Sequence, residues 1–317
     1  FRIIINNIMN CLSFDVGGTT IKYGVINDNY EVILKDKIPT PKDEEKFIES
    51  LSEIIQENLK NISKVSVGMP GFVNILNNKY LYGPHLPFEI DFSKLSNFSE
   101  YEFYLDNDAN IAAYCEYFLN YQNKCSNLIM LTFGTGVGGG IISEGRLLRG
   151  RGNAGELGHM LTSNDRETVG DNGKKGSFEK SVAASVWTEK CSELTKNNQD
   201  SELAKAFHIK NVGSVLFDTT LDLTGPEAAV RDEIIENISN GLLSLFEIFD
   251  NEVFVLGGSM SSEPFDLIEL EQLLQAVGWG RRPLRRVKRA LDNSLLKVGL
   301  WQHDPKFPRL IGFARCT

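Results

Sequence analysis

Residues 11–26 read CLSFDVGGTTIKYGVI, and this stretch decides the fold. Its two halves have the pattern of short strands, and the glycines and threonines at 17–20 form the turn between them. Residues 127–142, NLIMLTFGTGVGGGII, repeat the arrangement with a glycine corner at 134–140. Two such units, separated by about 120 residues, indicate an internally duplicated α/β fold with two lobes and a central cleft.

Length, charge and cysteine content limit the classes of function that the chain can have. With 317 residues it is longer than one simple core requires, so two lobes are expected. A net charge of −9 and a pI of about 5.1 argue against nucleic acid as the main partner, because a phosphate backbone attracts basic surfaces. No apolar run reaches the roughly 20 residues of a membrane span. Five irregularly spaced cysteines indicate reduced thiols in the cytoplasm.

Apolar periodicity predicts the elements between and after the two glycine turns. Helices are predicted over Glu44–Asn61, Ala109–Phe118 and residues 226–249. Strands are predicted over Val65–Gly68, Phe103–Leu105 and Val253–Leu256. The alternation of strands with helices agrees with an α/β fold.

The turn within residues 15–22, DVGGTTIK, has the residue types that hold a nucleotide phosphate. Glycine lets the backbone approach a phosphate group, and threonine hydroxyls add hydrogen-bond donors. Asp15, at the end of the predicted strand, could hold Mg²⁺ through water. By itself, however, such a turn is more typical of an ordinary hairpin.

The second glycine corner is denser, with five glycines among residues 134–140. Because each glycine costs entropy, close approach of the backbone to a ligand explains this run better than a tight turn does. The corner is not a Walker loop, since no Gly-Lys-Ser/Thr sequence ends it. It also lacks the helix-opening context of a dinucleotide fingerprint.

Two polar motifs outside these turns contain further candidate residues. Asn107 and Asp108 stand between a predicted strand and a predicted helix, where either residue could simply cap the helix. Alternatively, Asp108 could act as a base on a hydroxyl group within hydrogen-bond reach. Glu156 and His159 lie three residues apart among glycines, which suits hydrogen bonding to a polyol, although solvated surface groups are the alternative.

Together these segments resemble the sugar kinases of the ROK family (repressors, open reading frames, kinases) over residues 11–262. The matching motifs, in the family's order, are DVGGTTIK at 15–22, GMPG at 68–71, HLPF at 85–88, NDAN at 107–110, GTGVGGG at 134–140, GELGH at 155–159 and VLGG at 255–258. The resemblance implies a duplicated actin-like or hexokinase-like (RNase H-like) α/β fold.

The resemblance also implies roles for individual residues. Asp108 is implied to be the catalytic base, and Asn107, Glu156, His159 and Glu179 are implied to bind the sugar. ATP and Mg²⁺ are the implied cofactors, with the metal near Asp15. The residues implied to bind the nucleotide and its phosphates are Asp15, Gly17, Gly18, Thr19, Thr20, Lys22, Thr135, Gly136, Gly257 and Gly258.

One segment departs from the family pattern. Many members carry a Cys-x-Cys-Gly-x-x-Gly-Cys-x-Glu zinc site, whereas residues 170–179 read GDNGKKGSFE here. Gly170, Asn172 and Ser177 stand at the three cysteine positions. Because a structural zinc site needs about four nitrogen or sulfur ligands, no bound zinc is expected. Glu179 is retained at a position that contacts sugar in the family.

The last 52 residues, 266–317, differ in composition from the rest of the chain. Arginines cluster there, and the segment from Val277 to Arg315 resembles the opening of a GNAT-type N-acetyltransferase without the acetyl-CoA loop of such enzymes. A basic surface helix is the alternative interpretation. The predicted organisation is an N-terminal α/β lobe over 9–115, a C-terminal α/β lobe with sugar and nucleotide motifs over 116–265, and an atypical tail of foreign or fused origin over 266–317.

The resulting hypothesis is an ATP-dependent kinase that phosphorylates a small-molecule hexose, either glucose or an N-acetylhexosamine, at the C6 hydroxyl. One alternative is a ROK-type sugar-responsive transcriptional regulator, which the acidic charge and the mere ten residues before Cys11 disfavour. Another is a truncated or chimeric sugar-binding protein without turnover. The expected location is the cytoplasm, nucleic acid and membranes are not expected partners, and a homodimer is compatible with the family.

Overall fold

The computed structural model describes residues 10–83, 85–96, 100–162, 173–218, 220–258 and 284–286. The described residues up to Cys115, with Arg151–Asn153, form one compact unit. A second unit comprises Glu116–Gly150 and the described residues from Ala154 onward. Most of the predicted tail lies outside the described residues. Gly170 and Asn172, which stand at two cysteine positions of the family's zinc site, also lie outside them. Within the described ranges, no helix has both the length and the apolar character that crossing a membrane requires.

A five-stranded mixed sheet forms the centre of the first unit, with strand order β3-β2-β1-β4-β8. Strand β1 pairs antiparallel with β2 and parallel with β4, which confirms the predicted N-terminal hairpin. A three-stranded antiparallel sheet, β5-β6-β7, is also part of this unit. The strands are β1 (Cys11–Val16), β2 (Thr20–Ile26), β3 (Val32–Pro39), β4 (Lys64–Met69), β5 (Phe72–Asn74), β6 (Lys79–Tyr82), β7 (Ile90–Asp91) and β8 (Glu102–Asn107).

Helices α1 (Glu44–Asn58) and α2 (Ser93–Ser96) pack in the first unit, and α3 (Asp108–Asn120) begins there. Helix α1 starts where the Asp43 carboxylate accepts a hydrogen bond from the Lys46 backbone N–H at 2.9 Å. Its apolar face, with Phe47 and Leu51 fully buried, contributes to the core. The α-helix ends three residues before the predicted Asn61, because residues 59–61 tighten into a 3₁₀ turn.

The second unit also contains a five-stranded sheet, with strand order β11-β10-β9-β12-β13. The strands are β9 (Leu128–Phe133), β10 (Val137–Ser143), β11 (Arg146–Leu147), β12 (Val253–Gly258) and β13 (Leu284–Arg286). The helices that follow β11 are α4 (Phe178–Val182), α5 (Ala184–Asn197), α6 (Glu202–Lys210) and α7 (Pro226–Phe249). Trp187 is fully buried in this unit's core, with its ring centroid 6.2 Å from that of Phe133 and 4.7 Å from that of Phe217.

The two sheets repeat one arrangement. In the first, β1 pairs antiparallel with β2 and parallel with β4; in the second, β9 pairs antiparallel with β10 and parallel with β12. This equivalence confirms the predicted duplication of an α/β unit, since each sheet buries its own core.

The predicted glycine corner over residues 134–140 is wrong in its extent. Strand β10 begins at Val137, so the turn comprises residues 134–136 alone. Gly139 lies inside the strand, where an added Cβ would stand 2.8 Å from Cδ1 of Leu157. Glycine at this position therefore admits a side chain of the protein itself, not a ligand.

Candidate active site

The β1–β2 turn is held through its carbonyl oxygens. The Gly17 N–H donates to the Thr20 carbonyl oxygen at 3.0 Å, and the Thr40 hydroxyl donates to the Gly17 carbonyl oxygen at 2.6 Å. The Thr40 N–H donates to the Thr19 carbonyl oxygen at 3.0 Å, and the Lys42 ammonium donates to the Gly18 carbonyl oxygen at 2.9 Å. Neighbouring residues thus occupy the acceptors of the turn, an arrangement compatible with a phosphate on its donor side.

Asp15 and Lys22 face each other across the β1–β2 hairpin as paired residues. The Lys22 ammonium lies 3.6 Å from a carboxylate oxygen of Asp15, and the Lys22 side chain is half exposed. Asp15 also belongs to a row of aligned residues across the sheet, with Gly68 on β4 and Asp106 on β8. The carboxyl ends of β1, β4 and β8 therefore lie at one edge of the sheet.

Asn107 caps helix α3. Its side-chain oxygen accepts from the backbone N–H of Ala109 at 2.9 Å and of Asn110 at 3.0 Å, and its amide nitrogen donates to the Gly71 carbonyl oxygen at 3.0 Å. The N-cap alternative is therefore correct for Asn107. Because a side-chain amide has two donor hydrogens, one remains beyond the bond to Gly71.

Asp108 is the first residue of α3 and is exposed. One of its oxygens accepts from the N–H of Ala109 at 2.8 Å. The N-terminus of a helix favours a negative charge, so this position stabilises an ionised carboxylate. Burial and, secondly, the charge of Asp108 raise the pKa of Tyr80, whose hydroxyl donates to the Leu86 carbonyl oxygen at 3.2 Å.

Two neighbours of this pair escaped the sequence prediction. Tyr80 lies on β6, in a strand with no recognisable motif, and is fully buried. Asp106 is also fully buried, and its carboxylate accepts from the N–H of Asn107 at 2.8 Å. A signal for Asp106 did exist, since a carboxylate that directly follows the apolar run at 103–105 requires a polar partner when it is buried.

In the second unit, the glycine corner at 134–136 is held by two side chains from the helices. The Ser185 hydroxyl donates to the Thr135 carbonyl oxygen at 2.6 Å. The Val137 N–H donates to the carboxylate of Glu179 at 3.0 Å, and this carboxylate packs so closely that a Cβ on Gly136 would clash with it. Of the predicted nucleotide-binding residues of this corner, Gly136 therefore touches the predicted sugar ligand Glu179 on α4, and Thr135 touches α5.

The three predicted sugar ligands of this unit lie close together. Glu156 and His159 approach to 3.8 Å between a carboxylate oxygen and Nε2. Burial raises the pKa of the Glu156 carboxyl; His159 opposes that rise and the charge of Glu179 adds to it. The structure thus brings Glu156, His159 and Glu179 into one electrostatic cluster, although His159 and Glu179 are 20 positions apart in the sequence.

Gly257 and Gly258 end strand β12 beside the end of β9, where they pair with Thr132 and Phe133. They therefore lie at the same sheet edge as the 134–136 corner. For metals, the described ranges contain no group of three or more His, Cys, Asp or Glu side chains arranged to hold an ion. Of the three replaced cysteine positions, Ser177 alone is described, and it is buried.

Comparison with known proteins places this fold in a family. The sequence pattern of the ROK family matches residues 11–277. A β-glucoside kinase from Listeria monocytogenes is 28% identical over 276 residues, covering 85% of this chain and 89% of that protein. A glucokinase from Halalkalibacterium halodurans is 28% identical over 262 residues, covering 78% of this chain and 79% of that protein.

Solved structures show the same architecture. A ROK hexokinase from Thermus thermophilus superposes with a TM-score of 0.72 at 28% identity, covering 92% of this chain and 97% of that one. A ROK glucokinase from Streptomyces griseus, in complex with glucose and AMPPNP, gives 0.73 at 23% identity, covering 92% and 98%. A ROK transcriptional regulator gives 0.77 at 17% identity, covering 93% and 78%, and at this identity the likeness concerns the fold alone.

A different relative matches a short part of the chain. An uncharacterised ycf52-like N-acetyltransferase from Prochlorococcus marinus is 90% identical over 52 residues, which are 16% of this chain and 29% of that protein. The chain thus spans less than a third of that relative's length. The name of this relative is of the enzyme class that the sequence analysis compared with the C-terminal tail.

The predicted actin-like or hexokinase-like fold is confirmed by these neighbours and by the repeated sheets. Because the family pattern extends over most of the chain, the predicted resemblance is confirmed as well, and the chain belongs to the ROK family.

Proposed function

We propose that this chain transfers the γ-phosphoryl group of ATP to the C6 hydroxyl of a hexose, glucose or an N-acetylhexosamine. The chain is an ATP-dependent sugar kinase, the class predicted from its sequence and the class named for its relatives. The observation that carries the finer proposal is the pair Asn107–Asp108, in which one residue caps α3 and the next presents an exposed carboxylate.

Asp108 is proposed as the general base. Phosphoryl transfer requires little covalent chemistry from the protein, but a carboxylate must orient the acceptor hydroxyl and accept its proton. Because Asn107 fixes the start of α3 through two backbone N–H groups, the next residue projects from a rigid helix terminus. Asn107 itself is proposed to donate its remaining amide hydrogen to a sugar oxygen.

In the second unit, Glu156, His159 and Glu179 are proposed to bind sugar hydroxyls. Carboxylates and an imidazole offer both acceptors and donors, which a polyol needs on several adjacent hydroxyls. The three residues already share one partly buried cluster, so the ligand would meet groups whose positions are set beforehand.

The nucleotide phosphates are proposed to bind at the two turns. At the β1–β2 turn the candidates are Gly17, Gly18, Thr19 and Thr20 together with Lys22, and in the second unit Thr135, Gly136, Gly257 and Gly258. The partly exposed carboxylate of Asp15, at the carboxyl edge of its sheet, is an oxygen donor that suits Mg²⁺. When bound, Mg²⁺ neutralises charge on the phosphate oxygens.

A second candidate function follows from the acetyltransferase match. A chain whose C-terminal segment came from another protein would bind sugar without turnover, if the nucleotide-binding part were incomplete. The 52-residue identity of 90% favours this candidate, and the proposed boundary at residue 266 would separate the two origins.

The test is ATP consumption against a panel of hexoses with the full chain and with Asp108→Asn. Removal of a general base is expected to lower kcat by about 10²-fold or more while sugar binding persists, because Asn keeps the size of the side chain. Asp200→Asn, at an exposed turn, is the matched control and should retain full activity. Full activity of Asp108→Asn would refute the assignment, and sugar binding without any turnover by the unaltered chain would favour the second candidate.

A further inference from the structure

His85 lies against the backbone of the β1–β2 turn. A Cβ added to Gly18 would stand 2.6 Å from Cβ, 2.8 Å from Cγ and 3.3 Å from Nδ1 of His85. Glycine at position 18 therefore makes room for the imidazole ring, since closely packed atoms would otherwise have to shift. His85 is nevertheless an exposed residue, so a ligand bound at the turn can reach its ring.

The residues on either side of His85 are held in place. Gly83 and Leu86 pair in an antiparallel bridge, and the buried Tyr80 hydroxyl donates to the Leu86 carbonyl oxygen at 3.2 Å. A Cβ added to Gly83 would stand 2.6 Å from the Pro70 carbonyl oxygen, so this glycine packs closely on the neighbouring backbone. The position of the imidazole is thus set before a ligand binds.

The segment that contains His85 also adjoins the candidate base. The turn at 17–20 follows β1 and Asp108 follows β8, and the carboxyl ends of these strands lie at one edge of the sheet. Burial and, secondly, the charge of Asp108 raise the pKa of Tyr80, whose hydroxyl is bonded to the residue after His85. His85 thus contacts the turn proposed to bind phosphate, on a segment next to the group proposed to activate the acceptor hydroxyl.

The chemistry of the ring suits a phosphoryl oxygen. A neutral imidazole has one N–H donor and a protonated imidazole has two, and a phosphoryl oxygen is an acceptor. During transfer, negative charge is spread over the oxygens of the γ-phosphoryl group, and a donor already in position stabilises it. The Lys42 ammonium, 2.9 Å from the Gly18 carbonyl oxygen, and the Lys22 ammonium beside Asp15 add positive charge at the same turn.

We propose that His85 donates a hydrogen bond to an oxygen of the γ-phosphoryl group of ATP bound at the β1–β2 turn. In the transfer, the sugar hydroxyl oxygen bonds to the γ-phosphorus while the bond from that phosphorus to the bridging oxygen of ADP breaks. Asp108 accepts the hydroxyl proton, and the hydrogen bond from His85 stays with the transferred group. This inference rests on the proposed function, because it requires ATP at this turn.

The measurement is the dissociation constant of AMPPNP and that of ADP, each with Mg²⁺, by calorimetry on the unaltered chain and on His85→Leu. AMPPNP has a γ-phosphoryl group and ADP has none. Loss of a donor to this charged group should therefore weaken AMPPNP binding by roughly tenfold or more and leave ADP binding nearly unchanged. His85→Asn keeps Cβ, Cγ and an amide donor at about the place of Nδ1, so it should restore most of the preference for AMPPNP.

His208→Leu, at an exposed position of α6, is the matched control and should leave both dissociation constants unchanged. If His85 only packed against the turn, His85→Leu would weaken AMPPNP and ADP equally; if it bound sugar instead, glucose binding alone would weaken. Either result would overturn the inference. Absence of ATP consumption by the unaltered chain with every hexose would instead reject the proposed function, and the two failures are therefore distinguishable.

Discussion

The β1–β2 turn and the β9–β10 turn have the same strand-turn-strand pattern, yet different kinds of side chain hold them. At the first, the carbonyl oxygens of the turn accept hydrogen bonds from Thr40 and Lys42, and the nearest ion pair is partly exposed. At the second, a buried carboxylate accepts an N–H from the start of the following strand. The first turn is thus held by hydrogen bonds that its carbonyl oxygens accept. The second is held partly by a hydrogen bond that a backbone N–H donates.

The two turns show that duplicated units can keep the same sheet order while different side chains hold their turns. The sheet order around each turn is equivalent, because the backbone hydrogen bonds of the strands do not depend on the residues outside the sheet. The anchors come instead from segments outside the hairpin, the residues that follow β3 in one case and α4 and α5 in the other. The second turn should therefore be the more sensitive to small changes, since its anchor is a buried carboxylate, whereas the anchors of the first turn are the neutral hydroxyl of Thr40 and the exposed Lys42.

The largest expected effect is that of Gly136→Ala. The added Cβ would clash with the Glu179 carboxylate, so the corner or the carboxylate must shift, and overpacking of this kind costs about 1–3 kcal/mol of unfolding free energy. Urea denaturation measures the change. Gly134→Ala is the control, because the nearest atom to its Cβ is 4.0 Å away and no clash arises. If Gly136→Ala and Gly134→Ala were equally stable, the close contact between Gly136 and the Glu179 carboxylate would be refuted.

A smaller effect is expected at the first turn from Thr40→Val. The substitution removes the hydroxyl that donates to the Gly17 carbonyl oxygen, in a side chain that is 4% exposed, and should cost about 0.5–1.5 kcal/mol. Thermal or chemical unfolding measures it. Thr19→Val, at an exposed position of the same turn, should cost less. If Thr40→Val lowered the unfolding free energy as much as Gly136→Ala does, the second turn would not be the more sensitive of the two.

The partly exposed ion pair at the first turn gives a third prediction. Lys22→Met should lower the free energy of unfolding by about 0.2–1 kcal/mol at low ionic strength. The effect is small because an ion pair near the surface is only slightly more favourable than the two hydrated charges. The difference should shrink in 1 M salt, where the screening length is about 3 Å. Lys35→Met, on the exposed edge strand β3, should show no such salt dependence. If Lys22→Met lowered stability equally in about 1 M salt, the contribution of Lys22 would come from packing of its side chain and not from its charge.

The smallest effect concerns the pH dependence at the second turn. The pKa of Glu156 is raised in the folded chain, so the folded state holds this proton more tightly than the unfolded state does. The stability that protonation contributes is present below the unfolded pKa and is lost as pH rises through the folded pKa. Glu156→Gln should therefore gain stability relative to the unaltered chain on going from pH 4 to pH 7. If the unfolding free energies of Glu156→Gln and of the unaltered chain changed in parallel from pH 4 to pH 7, burial of Glu156 would not contribute to the pH dependence of stability.

Much of the fold followed from local pattern. The hairpin at residues 11–26, the strand before the 134–136 turn and the long helix α7 were predicted because their alternation or helical periodicity is strong and their ends carry glycine. Strand β3 and the small sheet β5-β6-β7 were not predicted. In β3 most side chains are exposed, so apolar alternation is absent, and the strands of the small sheet have two to four residues.

The sequence by itself determined the family, the order of the motifs and the residue types of the candidate site, because these depend on spacing along the chain. It left open whether Asn107 or Asp108 caps α3, and it assigned the glycines at 138–140 to a ligand. The tertiary structure alone decided that Asn107 is the cap, that Leu157 packs on Gly139, and that Glu179 touches the 134–136 turn. The contacts of Leu157 with Gly139 and of Glu179 with Val137 join residues 18 and 42 positions apart, and no local preference of the backbone specifies which distant side chain will fill a given space.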